Sequence, residues 1–192
     1  VVANRLELIG VTAIADPVRS DVPAAINDCL GAGIDVKIVT GDTVGTACEI
    51  GRQVGLWKED DTRERNHISG PDFAALDDKE AQKRAQEIKI MSRARPSDKS
   101  RLVNLLQDAG HVVAVTGDGT NDAPALKAAD IGCAMGITGT DVAKGAADMT
   151  LADDNFATIV DAVKEGRGIY ANIKKVVGFL LGTNIGEIIL VL

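Results

Sequence analysis

The chain has 192 residues, of which 28 are acidic and 21 basic, so its formal net charge is -7 and its isoelectric point is near 4.8. This balance argues against a nucleic-acid partner, because binding to nucleic acid requires a basic face that displaces counterions from phosphates. With 45% hydrophobic and only 3% aromatic residues, the composition is typical of a globular α/β domain and excludes a disordered tail.

Short apolar runs rich in β-branched residues alternate with helical patterns along the chain. The predicted strands are Leu6–Ile14, Asp35–Thr40, Ile88–Met91, Val112–Thr116 and Ile131–Met135. The predicted helices between them are Val22–Gly31, Thr43–Gly55, Ser97–Ala109 and Asn121–Ala128. Such alternation is typical of parallel strands joined by right-handed helical crossovers. The sequence therefore predicts an α/β fold, a Rossmann-like parallel sheet flanked by helices.

The segment from Trp57 to Gln86 interrupts this alternation. It is polar, dense in charges of both signs and poor in strand-forming patterns. We predict a surface excursion that carries one or two short helices, and we assign it no chemistry.

A long helical pattern follows, and the string Asp153-Asp154-Asn155 offers an N-cap for it. Gly166 and Gly168 predict a break in this pattern, because glycine is unfavourable inside a helix. We therefore expect residues 1–154 to form one domain and residues 155–175 to form stalk helices.

The last segment, residues 176–192, is a nearly continuous apolar run. Its 17 residues fall just short of the ~20 that are needed to span a bilayer. We interpret it as the start of a membrane helix. Lys174 and Lys175 precede it and favour a cytoplasmic position for residues 1–175.

The tetrapeptide Val-Thr-Gly-Asp occurs twice, at Val39–Asp42 and at Val115–Asp118, each time where a predicted strand ends. In open α/β sheets, ligands bind outside the carboxyl ends of the strands, and a loop glycine lets backbone N–H groups approach an anion. One copy alone is explained equally well by an ordinary turn with a capping aspartate. Two copies favour a shared anion site.

The second copy continues to Asp122 as Gly-Asp-Gly-Thr-Asn-Asp, which places two carboxylates four residues apart. Oxygen ligands without sulfur or imidazole suit Mg²⁺. Asp118 at the strand end is the better direct ligand, whereas we expect Asp122 to support the loop or the waters of the metal. Two aspartates that only stabilise a helix N-terminus are the alternative.

Lys99 falls in the first turn of a predicted helix, where the helix dipole disfavours a cation. Its position is understandable if the ammonium reaches an anion, such as a phosphoryl group that Asp118 binds through Mg²⁺. An ordinary solvated charge is the alternative. The sequence has no P-loop, dinucleotide fingerprint or nucleophile elbow.

Several short strings occur in a fixed order along the chain. They are Asp16-Pro17-Val18-Arg19, Thr40-Gly41-Asp42, Arg93 to Lys99, Gly117 to Leu126, Ala134-Met135-Gly136, Ala152 to Phe156 and Gly166-Arg167. In this order they resemble the phosphorylation-domain motifs of P-type cation-transporting ATPases, and the resemblance covers essentially the whole chain. That family's domain has the haloacid-dehalogenase-like fold, which agrees with the architecture predicted above.

The resemblance implies ATP-driven phosphorylation of an aspartate, followed by hydrolysis and coupled to the movement of a cation across a membrane, with Mg²⁺ as cofactor. It implies that Thr40 holds the transferred phosphoryl group, with Gly41 and Asp42 beside it. The other implied roles are charge neutralisation by Lys99, Mg²⁺ binding by Asp118, completion of the site by Asn121 and Asp122, and proximity to the nucleotide for Arg93.

One departure from the family is decisive. The phosphorylated aspartate of the family lies in a D-K-T-G-T string, which is absent here. Asp16 follows a predicted strand, but Pro17-Val18-Arg19 lacks the second carboxylate or threonine that such a nucleophile needs. We expect the chain alone to be inactive. Its expected partners are the nucleotide-binding domain, the actuator domain and the transmembrane helices of the same protein.

The apolar end bears on the transported ion. Asn184 and Glu187 are three residues apart and therefore share one helical face. A carboxylate inside a membrane is a functional candidate by default. The string Asn184-Ile185-Gly186-Glu187 resembles the fifth transmembrane helix of sarcoplasmic-reticulum-type calcium pumps, where the matching residues bind Ca²⁺. Sodium and proton pumps share parts of this pattern, so Ca²⁺ is favoured among several ions.

Two other functions remain open from the residues. A soluble haloacid-dehalogenase-like phosphatase would need an internal D-x-D nucleophile and would have no apolar tail. A non-catalytic Mg²⁺-binding module would use the same fold for regulation or interaction, and its carboxylates would be structural.

Overall fold

The computed structural model describes residues 9, 10, 12 and 17–191. Asp16 and most of the predicted strand Leu6–Ile14 lie outside these residues. The strands of the described part are β1 (Ile38–Val39), β2 (His67–Ser69), β3 (Ile90–Ser92), β4 (Ala114–Gly117), β5 (Ile131–Met135) and β6 (Met149–Leu151). Its helices are α1 (Val22–Gly31), α2 (Val44–Gln53), α3 (Arg63–Asn66), α4 (Gly70–Ala75), α5 (Asp78–Glu87), α6 (Pro96–Asp108), α7 (Ala123–Ala128), α8 (Asp141–Ala146) and α9 (Phe156–Val191).

The strands form two three-stranded sheets, with the orders β1-β3-β2 and β4-β5-β6, and every pair is parallel. In register, Ile38 lies beside Ile90 and Ala114 lies beside Ile131. Helices follow the strands, so the predicted Rossmann-like parallel architecture is confirmed. Within the described residues, β1 and β2 are the outer strands of the first sheet and β4 and β6 those of the second, so each of these four strands has one edge that no strand pairs with.

Helix α6 shares an apolar cluster with residues of the first sheet and with the residue that precedes β4. Its Leu102 and Leu106 are buried in one apolar cluster with Phe73. Val39 at the end of β1 and Val113 just before β4 pack against the same cluster. The end of β1 and the residue before β4 therefore share one apolar cluster with this helix.

Local chemistry explains where α6 begins. Pro96 occupies the first helical turn, where its fixed φ suits a helix and its missing N–H is not needed. The buried carboxylate of Asp98 accepts a hydrogen bond of 2.8 Å from the Arg95 N–H, which satisfies a donor at the helix entrance. This start places Lys99 in the first turn, as predicted.

The segment from Trp57 to Gln86 was predicted as a surface excursion, and this prediction is wrong in part. The short helices are present, but the segment also contains β2, in which Ile68 pairs with Met91. Phe73 is completely buried. A strand of three residues that carries a single apolar side chain has too little periodicity to be recognised in the sequence. Strand β6 was also not predicted.

Helix α9 is one uninterrupted helix of 36 residues. The predicted break at Gly166 and Gly168 is therefore wrong. Glycine adopts helical angles without strain and costs only about 1 kcal/mol per residue relative to alanine, so two glycines need not end a helix. The start of α9 packs on the domain, since Phe156 contacts the apolar cluster around Ile26. Among the described residues, no helix is both long enough and apolar enough to cross a bilayer.

Candidate functional site

Thr40 continues the sheet by one residue beyond β1. Its N–H donates to the Met91 carbonyl at 2.9 Å, and its carbonyl accepts from the Ala94 N–H at 2.9 Å. The Thr40 hydroxyl donates to the Asp42 carboxylate at 2.9 Å and accepts from the Asp42 N–H at 3.1 Å. Asp42 therefore fixes the orientation of the Thr40 hydroxyl at the carboxyl end of the sheet.

The loop after β3 lies against the loop after β1. The Arg93 N–H donates to the Asp42 carbonyl at 2.9 Å. Arg93 has a φ of 49°, a left-handed conformation that is uncommon outside glycine, and its side chain is exposed. Asp42 does not cap α2, because Thr43 accepts the N–H of Thr46 instead. The aspartate of the first Thr-Gly-Asp therefore binds the Thr40 hydroxyl and does not cap the following helix.

Lys99 and Asp122 form an ion pair of 2.6 Å, with only 20% and 15% of their side chains exposed. The pair joins the first turn of α6 to the loop after β4. The other carboxylate oxygen of Asp122 accepts from the Gly119 N–H at 3.1 Å. Lys99 is therefore not a solvated charge, and Asp122 supports both the lysine and the loop.

Asp118 follows β4 and is exposed. Its backbone carbonyl accepts from the Thr140 N–H at 2.8 Å. Its carboxylate has no hydrogen bond or ion pair to any residue that the structure describes. Asn121 is exposed in the same loop. Of the two carboxylates in this loop, Asp118 is the one that can accept a cation.

The described part of the chain contains no group of three or more His, Cys, Asp or Glu side chains placed to hold a metal. A Mg²⁺ ion keeps several waters and typically takes one or two carboxylates together with a phosphate. Asp118, as a single exposed carboxylate, fits this mode of binding. It does not fit a cage made by the protein alone.

The predicted site residues fall into three groups in the structure. The first group follows β1 and β3 and consists of Thr40, Gly41, Asp42 and Arg93. The second follows β4 and consists of Asp118, Asn121 and Asp122, with Lys99 reaching it from α6. The third is Asn184 and Glu187, which lie exposed on α9 beyond its packed start. The first two groups stand at the carboxyl ends of β1 and β4, and Lys99 connects α6 to the second of them.

Sequence reasoning missed the role of Asp154, which it treated only as part of an N-cap. Asp154 is 7% exposed and has a φ of 51°. Its carboxylate accepts from the Ile137 N–H at 2.9 Å and from the N–H and hydroxyl of Thr138, both at 2.7 Å. The helix is capped by Asn155, whose side-chain oxygen accepts from the Ala157 N–H. No local pattern reveals a contact across 17 residues.

These contacts make the protein acid-sensitive at Asp154. Burial raises the pKa of Asp154, but the hydrogen bonds from Ile137 and Thr138 outweigh it and lower the pKa from 3.8 to about 2. Because the folded pKa lies below the unfolded one, the stabilisation is complete above pH 3.8 and is lost as the pH falls towards about 2. We expect the difference in free energy of unfolding between wild type and Asp154→Asn to shrink across this window. Urea titrations at several pH values measure it, and a constant difference would contradict the prediction.

Comparisons with known proteins agree with the fold described above. Residues 1–130 match the model of the haloacid dehalogenase-like hydrolases, and residues 98–163 match a second model with that description. A crystal structure of a zinc-transporting PIB-type ATPase in its E2.Pi state superposes with a TM-score of 0.62 at 30% identity, covering 83% of this chain and 21% of that one.

Curated relatives match nearly the whole chain. The endoplasmic reticulum calcium ATPase srcA of Aspergillus fumigatus is 50% identical over 97% of this chain and 19% of the relative. P-type sodium-transporting ATPase4 of Toxoplasma gondii is 54% identical over 97% of this chain and 14% of the relative. Probable cation-transporting ATPase F of Mycobacterium bovis is 46% identical over 100% of this chain and 21% of the relative. The chain thus spans about a fifth, or less, of the length of these relatives.

The first family model covers well over half of the chain, and the similarity to the ATPases extends over nearly all of it. The chain therefore belongs to the haloacid dehalogenase-like hydrolase family, in a form similar to the phosphorylation domain of P-type cation-transporting ATPases.

Proposed function

We propose that the chain is part of the phosphorylation domain of an ATP-driven cation pump, in which it binds Mg²⁺ and the phosphoryl group of an aspartyl-phosphate. The observation that carries this proposal is that β1 and β4, each with one edge left unpaired by the strands that the structure describes, both end in Thr-Gly-Asp. Val39 of β1 and Val113 before β4 pack against the apolar cluster of α6, and Ala114 and Thr116 of β4 are exposed. A further parallel strand between them would deliver its carboxyl end next to Thr40 and Asp118.

The side chains at this edge suit the transfer of a phosphoryl group from ATP. Mg²⁺, when bound, would neutralise part of the negative charge on the phosphoryl oxygens. Asp118 binds the cation. Lys99 has three N–H donors and gives one to Asp122, so two remain for a phosphoryl oxygen. The Thr40 hydroxyl now donates its one proton to Asp42, and on binding it would turn this proton to a phosphoryl oxygen.

We propose that the nucleophile comes from a D-K-T-G-T segment, which this sequence does not contain. Of the carboxylates at the sheet edge, Asp42 holds Thr40 and Asp122 holds Lys99, which leaves Asp118 for the cation. We infer that the isolated chain forms no phosphoenzyme and does not hydrolyse ATP. The partners needed are the nucleotide-binding and actuator domains and the transmembrane helices of the same protein.

A titration of the purified chain with Mg²⁺ tests the proposal. We expect weak binding that tightens when inorganic phosphate is present, because both bind at one edge. Asp118→Asn keeps the shape of the side chain but removes its charge, so it should lower the Mg²⁺ affinity at least about tenfold. Isothermal titration calorimetry measures this affinity.

Asp108→Asn is the matched control. Asp108 is also exposed, but it ends α6 and so lies away from the helix start that carries Lys99. Its replacement should leave the Mg²⁺ affinity unchanged. Equal affinities for wild type and Asp118→Asn would instead support a module whose carboxylates are structural.

We further propose that Ca²⁺ is the transported ion and that the protein resides in a membrane, with residues 1–175 on the cytoplasmic side. Residues 1–154 would then form the phosphorylation domain, 155–175 the stalk and 176–192 the start of a transmembrane helix. The similarity to srcA, whose name describes a calcium ATPase, supports Ca²⁺, whereas the sodium-transporting relative makes Na⁺ the main competitor.

Transport by the full-length protein in reconstituted vesicles separates these ions. We expect ATP-dependent Ca²⁺ uptake that Glu187→Gln abolishes, because the amide cannot supply the carboxylate charge that a divalent cation requires. Glu165→Gln is the control, since Glu165 is exposed on the proposed stalk part of the same helix. Uptake of Na⁺ in place of Ca²⁺ would refute the choice of ion and leave the pump itself standing.

A further inference from the structure

Asp154 connects two parts of the chain that the sequence keeps apart. Its carboxylate receives three hydrogen bonds from the loop 136–140, which follows β5 at the carboxyl end of its sheet. Its own backbone is held as well, because Arg19 donates to the Asp154 carbonyl at 2.7 Å. The neighbouring Asn155 donates to the Asp21 carboxylate at 2.6 Å. The carboxylate is therefore a fixed anchor point.

The loop that Asp154 holds is in contact with Asp118. The Thr140 N–H donates to the Asp118 carbonyl at 2.8 Å. Between these anchors the loop turns so tightly at Gly139 that a Cβ there would overlap the Met135 carbonyl. Thr138 is bound to Asp154 and Thr140 is bound to Asp118, so the loop between the two aspartates has little conformational freedom.

The charge and burial of Asp154 make this anchor specific. A buried carboxylate is unfavourable unless its oxygens are hydrogen-bonded, and here both oxygens are bonded to the loop. The arrangement differs from that of Asp153, an exposed carboxylate that, within the part of the chain the structure describes, accepts from the Asn155 N–H and the Thr158 hydroxyl alone. Asp153 stabilises the start of α9 and does not contact the loop.

We propose that Asp154 is a positioning residue for the cation ligand Asp118, acting through the loop 136–140. The inference rests on the proposed function for the identity of the ligand. Asp154 itself touches neither cation nor phosphate. It holds Thr138, the loop holds Thr140, and Thr140 holds the backbone of Asp118, so the direction of the Asp118 carboxylate depends on Asp154.

The test compares Asp154→Asn with Asp153→Asn in the whole chain. An asparagine has one oxygen in place of two and no charge, so it cannot accept all three donors of the loop. In Asp154→Asn we expect faster hydrogen exchange at the Ile137, Thr138 and Thr140 amides, a shifted Asp118 amide resonance, and Mg²⁺ binding weakened by about tenfold. Asp153→Asn should change none of these.

Thr138→Val provides a second variant that should fold, because Thr138 is exposed and loses only its hydroxyl donor. It should change the Asp118 resonance and the Mg²⁺ affinity in the same direction as Asp154→Asn, by a smaller amount. An Asp118 resonance that stays in place in both variants, measured without metal, would overturn the inference. Faster hydrogen exchange in the loop with an unchanged Mg²⁺ affinity would also overturn the inference, because Asp154 would then stabilise the loop without positioning Asp118.

The two proposals fail in different ways. Should the wild-type chain not bind Mg²⁺ through Asp118, the proposed function fails, while the metal-free resonance still reports whether Asp154 positions Asp118. Should Asp118→Asn abolish binding and Asp154→Asn leave it intact, the proposed function stands and the positioning role is wrong.

Discussion

Gly117→Ala is expected to abolish the arrangement of the site, although it adds only one methyl group. A Cβ at Gly117 would overlap the Cβ of Asp122 and come within 2.8 Å of its Cγ. Asp122 must then move, and with it the carboxylate that binds Lys99 at 2.6 Å and the Gly119 N–H. Overpacking of this kind destabilises proteins by about 1–3 kcal/mol.

The effect on ligand binding should exceed the effect on folding. Lys99 and Asp122 are mostly buried, so separating them leaves both charges without a partner in a poorly solvated place. We expect the binding of phosphate with Mg²⁺ to fall at least about tenfold. Calorimetric titration measures the binding, and urea unfolding measures the stability.

Gly119→Ala is the matched control for this prediction. Gly119 lies in the same loop, but a Cβ there would meet the nearest Asp122 oxygen at 3.5 Å, which is an ordinary contact. Its replacement should leave phosphate binding within about twofold of the wild type. If both variants bind alike, the close packing of Gly117 on Asp122 does not matter for the site.

Phe73→Ala is expected to be among the most destabilising substitutions in the described part of the chain. Phe73 is completely buried in α4 and packs in the cluster that contains Leu102 and Leu106 of α6. Arg101 stacks over its ring with the guanidinium carbon 5.4 Å from the centroid. Removing a buried phenylalanine leaves a cavity and lowers the free energy of unfolding by about 3–5 kcal/mol. Urea denaturation followed by circular dichroism measures this loss.

The same substitution at an exposed phenylalanine calibrates the result. Phe179 on α9 is 70% exposed, so Phe179→Ala removes little buried surface and should change the free energy of unfolding by less than about 0.5 kcal/mol. Similar losses for the two variants would mean that Phe73 is not part of the core. It would also mean that packing on Phe73 does not hold α6, the helix that carries Lys99, in place.

Much of the molecule could be predicted from the sequence because the signals are local. Helix α1 has the predicted bounds, and β5 does as well. The two Thr-Gly-Asp strings stand at strand ends, where alternation of strands and helices had placed them. Periodicity and turn chemistry depend on residues within a few positions of one another, so they can be recognised without knowledge of the fold.

Other features depend on partners far along the chain. Strand β2 is a strand because it pairs with β3, and Phe73 is a core residue because α6 covers it. Helix α9 continues through Gly166 and Gly168 because nothing in its surroundings forces a break at residues that can adopt helical angles. Local propensity is a weak determinant in each case, and tertiary context outweighs it.

The sequence by itself determined which side chains stand at the carboxyl ends of the strands, since the order of motifs and elements is written along the chain. Only the tertiary structure decided how those side chains are used. It pairs Lys99 with Asp122, leaves the Asp118 carboxylate without a partner among the described residues, and anchors the loop beyond β5 on Asp154. These contacts join residues about 15 to 25 positions apart, and such pairings arise from packing of the sheets and helices, which no local pattern encodes.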